Sequence, residues 1–171
     1  MENFRPKMYY KSIFDIKYNI LKEKGIKVLI FDSDNTIVLI DEDEPNNNVI
    51  ELFSKLVHDF KVFVASNNTQ KRVKKIGDKL NVHAFYLVRK PSRKIKKLLL
   101  KQCNVNMNEV AVIGDQIMTD IFMGNRLGMH TILVDPMGKK DLKKTFFNRC
   151  AEKIVMKRMK LKRGDYYEQI L

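Results

Sequence analysis

Cysteine is nearly absent from this chain: only Cys103 and Cys150 occur in 171 residues. Two thiols cannot build a disulfide framework, so the sequence predicts reduced cysteines and a cytoplasmic protein. It also lacks any apolar run of about 18 residues, which argues against a helical membrane span. The N-terminus, "MENFRPKMYYKSIFDIKY", carries charges throughout and has no apolar core of a secretory signal. No repeat or low-complexity tract divides the chain, and its length suits one domain over 1–171. Negative charge is scarce where positive charge is dense. Between Lys139 and Arg163 two acidic residues face eleven basic ones, and "RKPSRKIKKLLLK" (89–101) has seven basic residues and no acidic one. The net charge of +13 points to an anionic partner: nucleic acid, a phosphorylated molecule or an anionic membrane surface. The plain alternative is solubility alone. From about residue 151 the chain reads as a basic C-terminal extension.

What is present is a regular alternation. "KVLIFD" (27–32), "KVFVAS" (61–66), "AFYLV" (84–88), "VAVIGD" (110–115) and "TILVD" (131–135) are short runs rich in Val, Ile, Leu and Phe. Near-continuous apolar strands of this kind belong to parallel sheets covered on both faces. Helical patterns lie between them at 49–59, 69–80, 91–103, 117–127 and from 139 onward. The order predicts an α/β fold, a three-layer doubly wound parallel sheet. At the start, "SIFDIKYNILKEKG" (12–25) reads as one helix, with Ser12 and Asp15 as a capping box and Gly25 as its end. In the C-terminal segment, Leu142, Phe146, Cys150 and Ile154 form an apolar stripe expected to dock on the sheet, with a membrane-facing role as the alternative.

Ligands in open parallel sheets bind beyond the carboxyl ends of the strands. Those ends carry Asp32 and Asp34; Ser66, Asn67 and Asn68; Arg89 and Lys90; and Gly114 and Asp115, with Asp120 a helical turn further on. Four carboxylates in one place repel unless a cation joins them. A hard divalent ion held by few carboxylates and several waters relieves this, and Mg²⁺ suits that arrangement. Beside it one aspartate can attack phosphorus and a second, two residues on, can move protons. Ser66 and neighbouring amides can hold phosphate oxygens, and Lys90 can balance the charge. Each motif alone has an ordinary reading as a turn or a helix start. Their order, each after its own strand, is what carries the signal.

"FDSDNT", "SNN", "RKP" and "GDQIMTDIFMGNRLGM" together resemble the four motifs of the haloacid dehalogenase (HAD) superfamily, capless subfamily IIIA. Within it the chain is similar to the YqeG-type bacterial phosphatases and the mitochondrial phosphatidylglycerophosphate phosphatases, from about residue 6 to 150. The resemblance implies a Rossmann-like HAD fold without a cap domain and Mg²⁺ as cofactor. It implies Asp32 as nucleophile, Asp34 as acid/base, and Lys90 as the motif-three cation with Lys94 as the alternative. Ser66 becomes the phosphate-binding residue, with Asn67 and Arg89 beside the substrate. Asp32, Asp34 (through its carbonyl), Asp115 and Asp120 become the metal site. Ser33 stands where relatives often carry a larger apolar residue.

The segments 37–65 and 69–89 have room for sheet and helix elements only, so the site is expected to be open. An open site suits a phosphate projecting from something large. The expected function is Mg²⁺-dependent hydrolysis of a phosphomonoester through an aspartyl-phosphate, on a lipid such as phosphatidylglycerophosphate, with docking on the inner face of an anionic membrane. The alternatives are nucleic-acid ends, small phosphometabolites, or a non-catalytic anion-binding module of the same fold. The basic runs lack interleaved aromatics, which disfavours single-stranded nucleic acid.

Overall fold

A computed structural model describes residues 1–140 and 146–168. Five strands form at the expected places: β2 (Val28–Phe31), β3 (Lys61–Ala65), β4 (His83–Phe85), β5 (Val110–Gly114) and β6 (His130–Val134). Two more, β1 (Met8–Tyr10) and β7 (Tyr167–Glu168), complete a seven-stranded sheet ordered β4-β3-β2-β5-β6-β1-β7. All neighbours are parallel except β7, which runs antiparallel to β1 and edges the sheet.

Strand residues alternate between two buried faces, as the two-residue period of a strand requires. Leu29 and Phe31 of β2 join one core, with Leu21 of α1 (Tyr18–Glu23), Val49 and Phe53 of α2 (Asn47–Asp59), and Val73 and Ile76 of α3 (Gln70–Leu80). Val28 and Ile30 face the other core, with Ile95 and Leu99 of α4 (Lys94–Leu100) and Met123 of α5 (Phe122–Leu127). A single π-helical turn, Ile117–Ile121, leads into α5. It packs with Tyr9 and Leu133 under Met156 of α6 (Phe146–Arg158). Helices on both faces of a parallel sheet make this the three-layer α/β fold expected. Only a loop, α2 and β3 separate β2 from the end of β3, and only α3 and β4 follow before Arg89, so no cap domain intervenes. No helix among the described residues is long and apolar enough to cross a membrane.

Four local expectations are corrected. "AFYLV" ends as a strand at Phe85: Leu87 takes a left-handed backbone with φ 47 and is exposed, which ends pairing. The helix expected at 12–25 shortens to α1. Ser12 does bond to Asp15, but within a turn that precedes the helix, and Lys17 occupies the cap position. Gly25, at φ 77, does end the helix, where a side chain would strain. The strand β1 escaped notice because "MYY" is too short to show a period. Finally, the apolar stripe of α6 is not its core face. Cys150 and Ile154 are exposed, and the buried face carries Glu152 and Met156; Leu142 and the side chain of Phe146 lie outside the described residues.

Candidate active site

The chain leaves β2 at Phe31 into a tightly closed loop. Asp32 N donates to Ile113 O of β5 at 2.9 Å, holding its backbone against the neighbouring strand. The carbonyl of Ser33 then accepts from the amides of Thr36, Ile37 and Val38 at 3.3, 3.0 and 3.1 Å. Asn35 sits at φ 60, a left-handed conformation that asparagine tolerates well. Ile37 and Val38 are fully buried and pin the loop to the core.

Asp32, Asp115 and Asp120 converge. Each offers a carboxylate oxygen within 4.8 Å of the others, and all three are buried. Gly114, the last residue of β5, makes this approach possible. A Cβ there would stand 2.4 Å from Asp120 Cγ and 2.5 Å from its Oδ2, so any other residue would evict the carboxyl. Lys90, only 3% exposed in its side chain, bridges the cluster: Nζ pairs with Asp32 Oδ1 and donates to Asp120 Oδ1 at 2.6 Å. Arg149, arriving from α6, pairs with Asp115 Oδ2.

Three buried carboxylates thus face two cations. Burial pushes the Asp32 carboxyl well above its ordinary range; Lys90 opposes this, and Asp120 and Asp115 add to it. Burial likewise raises Asp115 to about 6 against the pull of Arg149. Burial alone would lower Lys90, but Asp120 and Asp32 outweigh it and hold the ammonium above its usual value. The excess of negative charge and the all-oxygen donor set fit a hard divalent cation. The residues that would hold it are Asp32, Asp115 and Asp120.

The other expected site residues lie around this centre. Asp34 stands apart from the triad, with Oδ2 accepting from Asn68 Nδ2 at 3.1 Å and Oδ1 from Arg72 Nε at 3.0 Å. Ser66 is buried, and its hydroxyl accepts from Ser33 Oγ at 2.8 Å and from Asn68 N at 3.1 Å. The small Ser33 therefore does more than fill space. Asn67 clamps the Lys90 backbone: Oδ1 accepts from Lys90 N at 2.6 Å and Nδ2 donates to Lys90 O at 3.1 Å. Arg89 is exposed at φ 59 and makes no contact with this cluster among the described residues. Lys94 reaches back to Leu87 O at 3.3 Å instead of entering the cluster, so Lys90 holds the cation position.

Sequence reasoning missed Arg72, Arg149, Glu152 and Arg163. Arg72 lies in the first turn of α3 and reads as a surface residue. A usable signal did exist for the C-terminal three: Glu152 is one of two acids in a stretch of eleven bases, placed i+3 from Arg149 on a helix.

Comparison with known proteins identifies the family and the fold. Residues 1–138 match the family of mitochondrial PGP phosphatases. "Probable phosphatase YqeG" of Bacillus subtilis is 36% identical over 167 residues, covering 97% of both chains. "Phosphatidylglycerophosphate phosphatase 1, chloroplastic/mitochondrial" of Arabidopsis thaliana is 26% identical over 147 residues, covering 80% of this chain and 42% of that one. Among solved structures, a HAD family enzyme from Bacteroides thetaiotaomicron, a magnesium complex, shares the fold with a TM-score of 0.52 at 15% identity, over 72% of this chain and 99% of that one. The chain is a phosphatase of the HAD fold and belongs to the PGP phosphatase family.

Proposed function

We propose that the protein hydrolyses a phosphomonoester through a phosphorylated Asp32, with Mg²⁺ as cofactor, and that the phosphate is borne by a lipid such as phosphatidylglycerophosphate. The observation that carries the chemistry is Lys90 bridging Asp32 and Asp120 inside the buried carboxylate triad. An Asp32 oxygen forms a bond to phosphorus as the ester P–O bond breaks. Asp34 gives its proton to the leaving alkoxide. Water then attacks phosphorus and returns a proton to Asp34. The P–O bond to Asp32 breaks, and inorganic phosphate leaves. Lys90 keeps the nucleophile in place and offsets charge on the phosphoryl group, and Ser66 with nearby amides receives its oxygens. Held by Asp32, Asp115 and Asp120, Mg²⁺ would neutralise the charge that a dianionic phosphate adds to three carboxylates; the family resemblance would add the Asp34 carbonyl as a further ligand.

Two observations support a lipid substrate. Among the described residues no cap domain covers the catalytic edge, and exposed apolar side chains stand beside it. Leu87 N bonds to Asn68 O at 3.2 Å, beside Asp34, and Met137 N bonds to Asn35 O at 2.8 Å. Phe14 and Met137 line one shallow groove with Thr36. Arg89, Lys94 and Lys139 stand nearby, so the same edge offers apolar anchors and positive charge to an anionic leaflet. The name of the Arabidopsis relative points the same way.

The test is a phosphate-release screen of lipid, nucleotide, sugar and nucleic-acid phosphomonoesters, with Asp32→Asn as control. The expected result is highest kcat/KM on the lipid in mixed micelles, loss with EDTA, recovery with Mg²⁺ and poor recovery with Ca²⁺. Turnover by Asp32→Asn, or full activity without metal, would overturn the chemistry. A better soluble substrate would overturn the lipid assignment alone.

A further inference from the structure

The C-terminal segment reaches the site through a closed ionic network. Arg149 addresses Asp115 with both arms of its guanidinium: Nη1 donates to the main-chain carbonyl at 3.0 Å, and Nη2 pairs with Oδ2. Arg163 donates to the same carbonyl at 3.0 Å. Glu152, only 3% exposed, joins the two: it pairs with Arg163 through Oε1, lies 3.4 Å from Arg149 Nη1 through Oε2, and accepts from Ile117 N at 3.3 Å. Asp115 Oδ1 is left toward Thr36 Oγ1, 3.4 Å away.

Burying two carboxylates against two arginines that stay partly exposed is a poor route to stability, since well-packed apolar groups serve as well or better. The network has another consequence. It fixes both the backbone and the carboxyl plane of Asp115 and assigns one oxygen to arginine. We infer that Arg149, backed by Glu152 and Arg163, is a positioning residue that orients Asp115 toward the cation. This rests on the reading of Asp115 as a metal ligand. Residues 149–163 lie beyond the family match, which ends at 138; their bonds to Asp115 make the basic C-terminal segment, on this inference, a working part of the site. Two of its positive charges are committed to this network.

Charge and orientation predict opposite signs, which makes the inference testable. A positive side chain beside a cation site repels the cation, so if Arg149 were only a counter-charge, its removal would tighten Mg²⁺ binding. A partner that orients a metal ligand typically contributes about 10–100-fold in affinity, so its removal weakens binding. Lysine keeps the charge but lacks the planar fork.

The experiment titrates Mg²⁺ alone into metal-free, full-length protein by calorimetry, with folding checked by circular dichroism. Both Arg149→Gln and Arg149→Lys are expected to weaken Mg²⁺ about tenfold or more. In steady-state assays the Mg²⁺ midpoint should rise by more than kcat at saturating Mg²⁺ falls. Tighter or unchanged binding in Arg149→Gln, or wild-type binding in Arg149→Lys, overturns the inference. Should the Arg149 variants not fold, Arg163→Lys carries the test: it removes one guanidinium bond to the Asp115 carbonyl at a partly exposed position, and unchanged Mg²⁺ affinity overturns the inference. Absence of Mg²⁺ binding in the wild type would overturn the metal site itself, and this inference with it.

Discussion

Replacing Lys90 by Met tests the electrostatic account of the site most directly. Methionine matches the length of the stem but leaves Asp32 and Asp120 facing each other across the space the ammonium bridged. Removing one partner of a buried ion pair costs about 3–5 kcal/mol, because a buried charge is left uncompensated. Against a typical total stability of about 5–15 kcal/mol this is a large fraction. For a chain of this size it corresponds to a fall in Tm of roughly 6–20 °C. The cost depends on pH, and its sign is fixed. Without the ammonium, which opposes the effect of burial, the Asp32 carboxyl rises further above its unfolded value, so the folded state binds more protons than the unfolded one. Stability then falls as pH rises through the window above the unfolded carboxylate range, and the deficit shrinks toward acid. Urea titrations in EDTA, followed by far-ultraviolet circular dichroism because the chain has no tryptophan, measure this at several pH values. The double variant Lys90→Met/Asp32→Asn should recover part of the loss, since one of the stranded charges is gone. A deficit below about 1 kcal/mol at neutral pH, or one that grows toward acid, would refute the reasoning, since a stranded buried charge costs more than that.

Three further outcomes follow from the same structure. Gly114→Ala places a methyl 2.4 Å from Asp120 Cγ, so the carboxyl must leave Lys90. Melts should show a loss of about 1–3 kcal/mol and phosphate release a loss of about a hundredfold; near-normal turnover would mean that Asp120 is dispensable. His130 is buried, and burial lowers it from 6.5 to about 4, with Lys7 and Lys24 adding to the effect. Its stabilising contribution is complete above pH 6.5 and is lost as pH falls toward 4, up to about 3 kcal/mol. The wild type should therefore lose stability relative to His130→Leu across that window, and parallel pH curves would contradict this. For docking, Leu87→Asp should reduce sedimentation with anionic vesicles more than charge reversal at Lys157 and Arg158. Those two end α6, about 13 Å along the helix from Arg149. Met159 just beyond them bonds to Arg5, at the sheet edge away from the site. Salt should weaken the binding as the screening length drops below about 10 Å, and the reverse ranking would place the docking face elsewhere.

Much of the site was legible because its residues follow strands. A parallel strand sends its carboxyl end to one edge whatever its neighbours do, so Asp32, Ser66, Lys90 and Asp115 could be read one by one and summed. The order of those motifs carried the rest. What spacing could not show is which charges pair. Asp34 and Asp32 are two residues apart, yet Asp34 belongs to Asn68 and Arg72 while Asp32 belongs to Lys90. Asn67 looks like a turn residue in the chain and holds the Lys90 backbone in the fold.

The sequence alone determined the α/β class, the uncapped architecture and the carboxylate cluster, because strand periodicity and turn chemistry are local properties. Tertiary structure alone decided what the C-terminal segment does. Helical periodicity marks Cys150 and Ile154 as a core stripe, but the sheet offers Asp115 on that side. The helix therefore turns Arg149 and Glu152 inward and leaves Ile154 exposed. A buried carboxylate needing a partner outweighed the burial of one aliphatic side chain, and the residue that creates that demand lies thirty-four positions earlier in the chain.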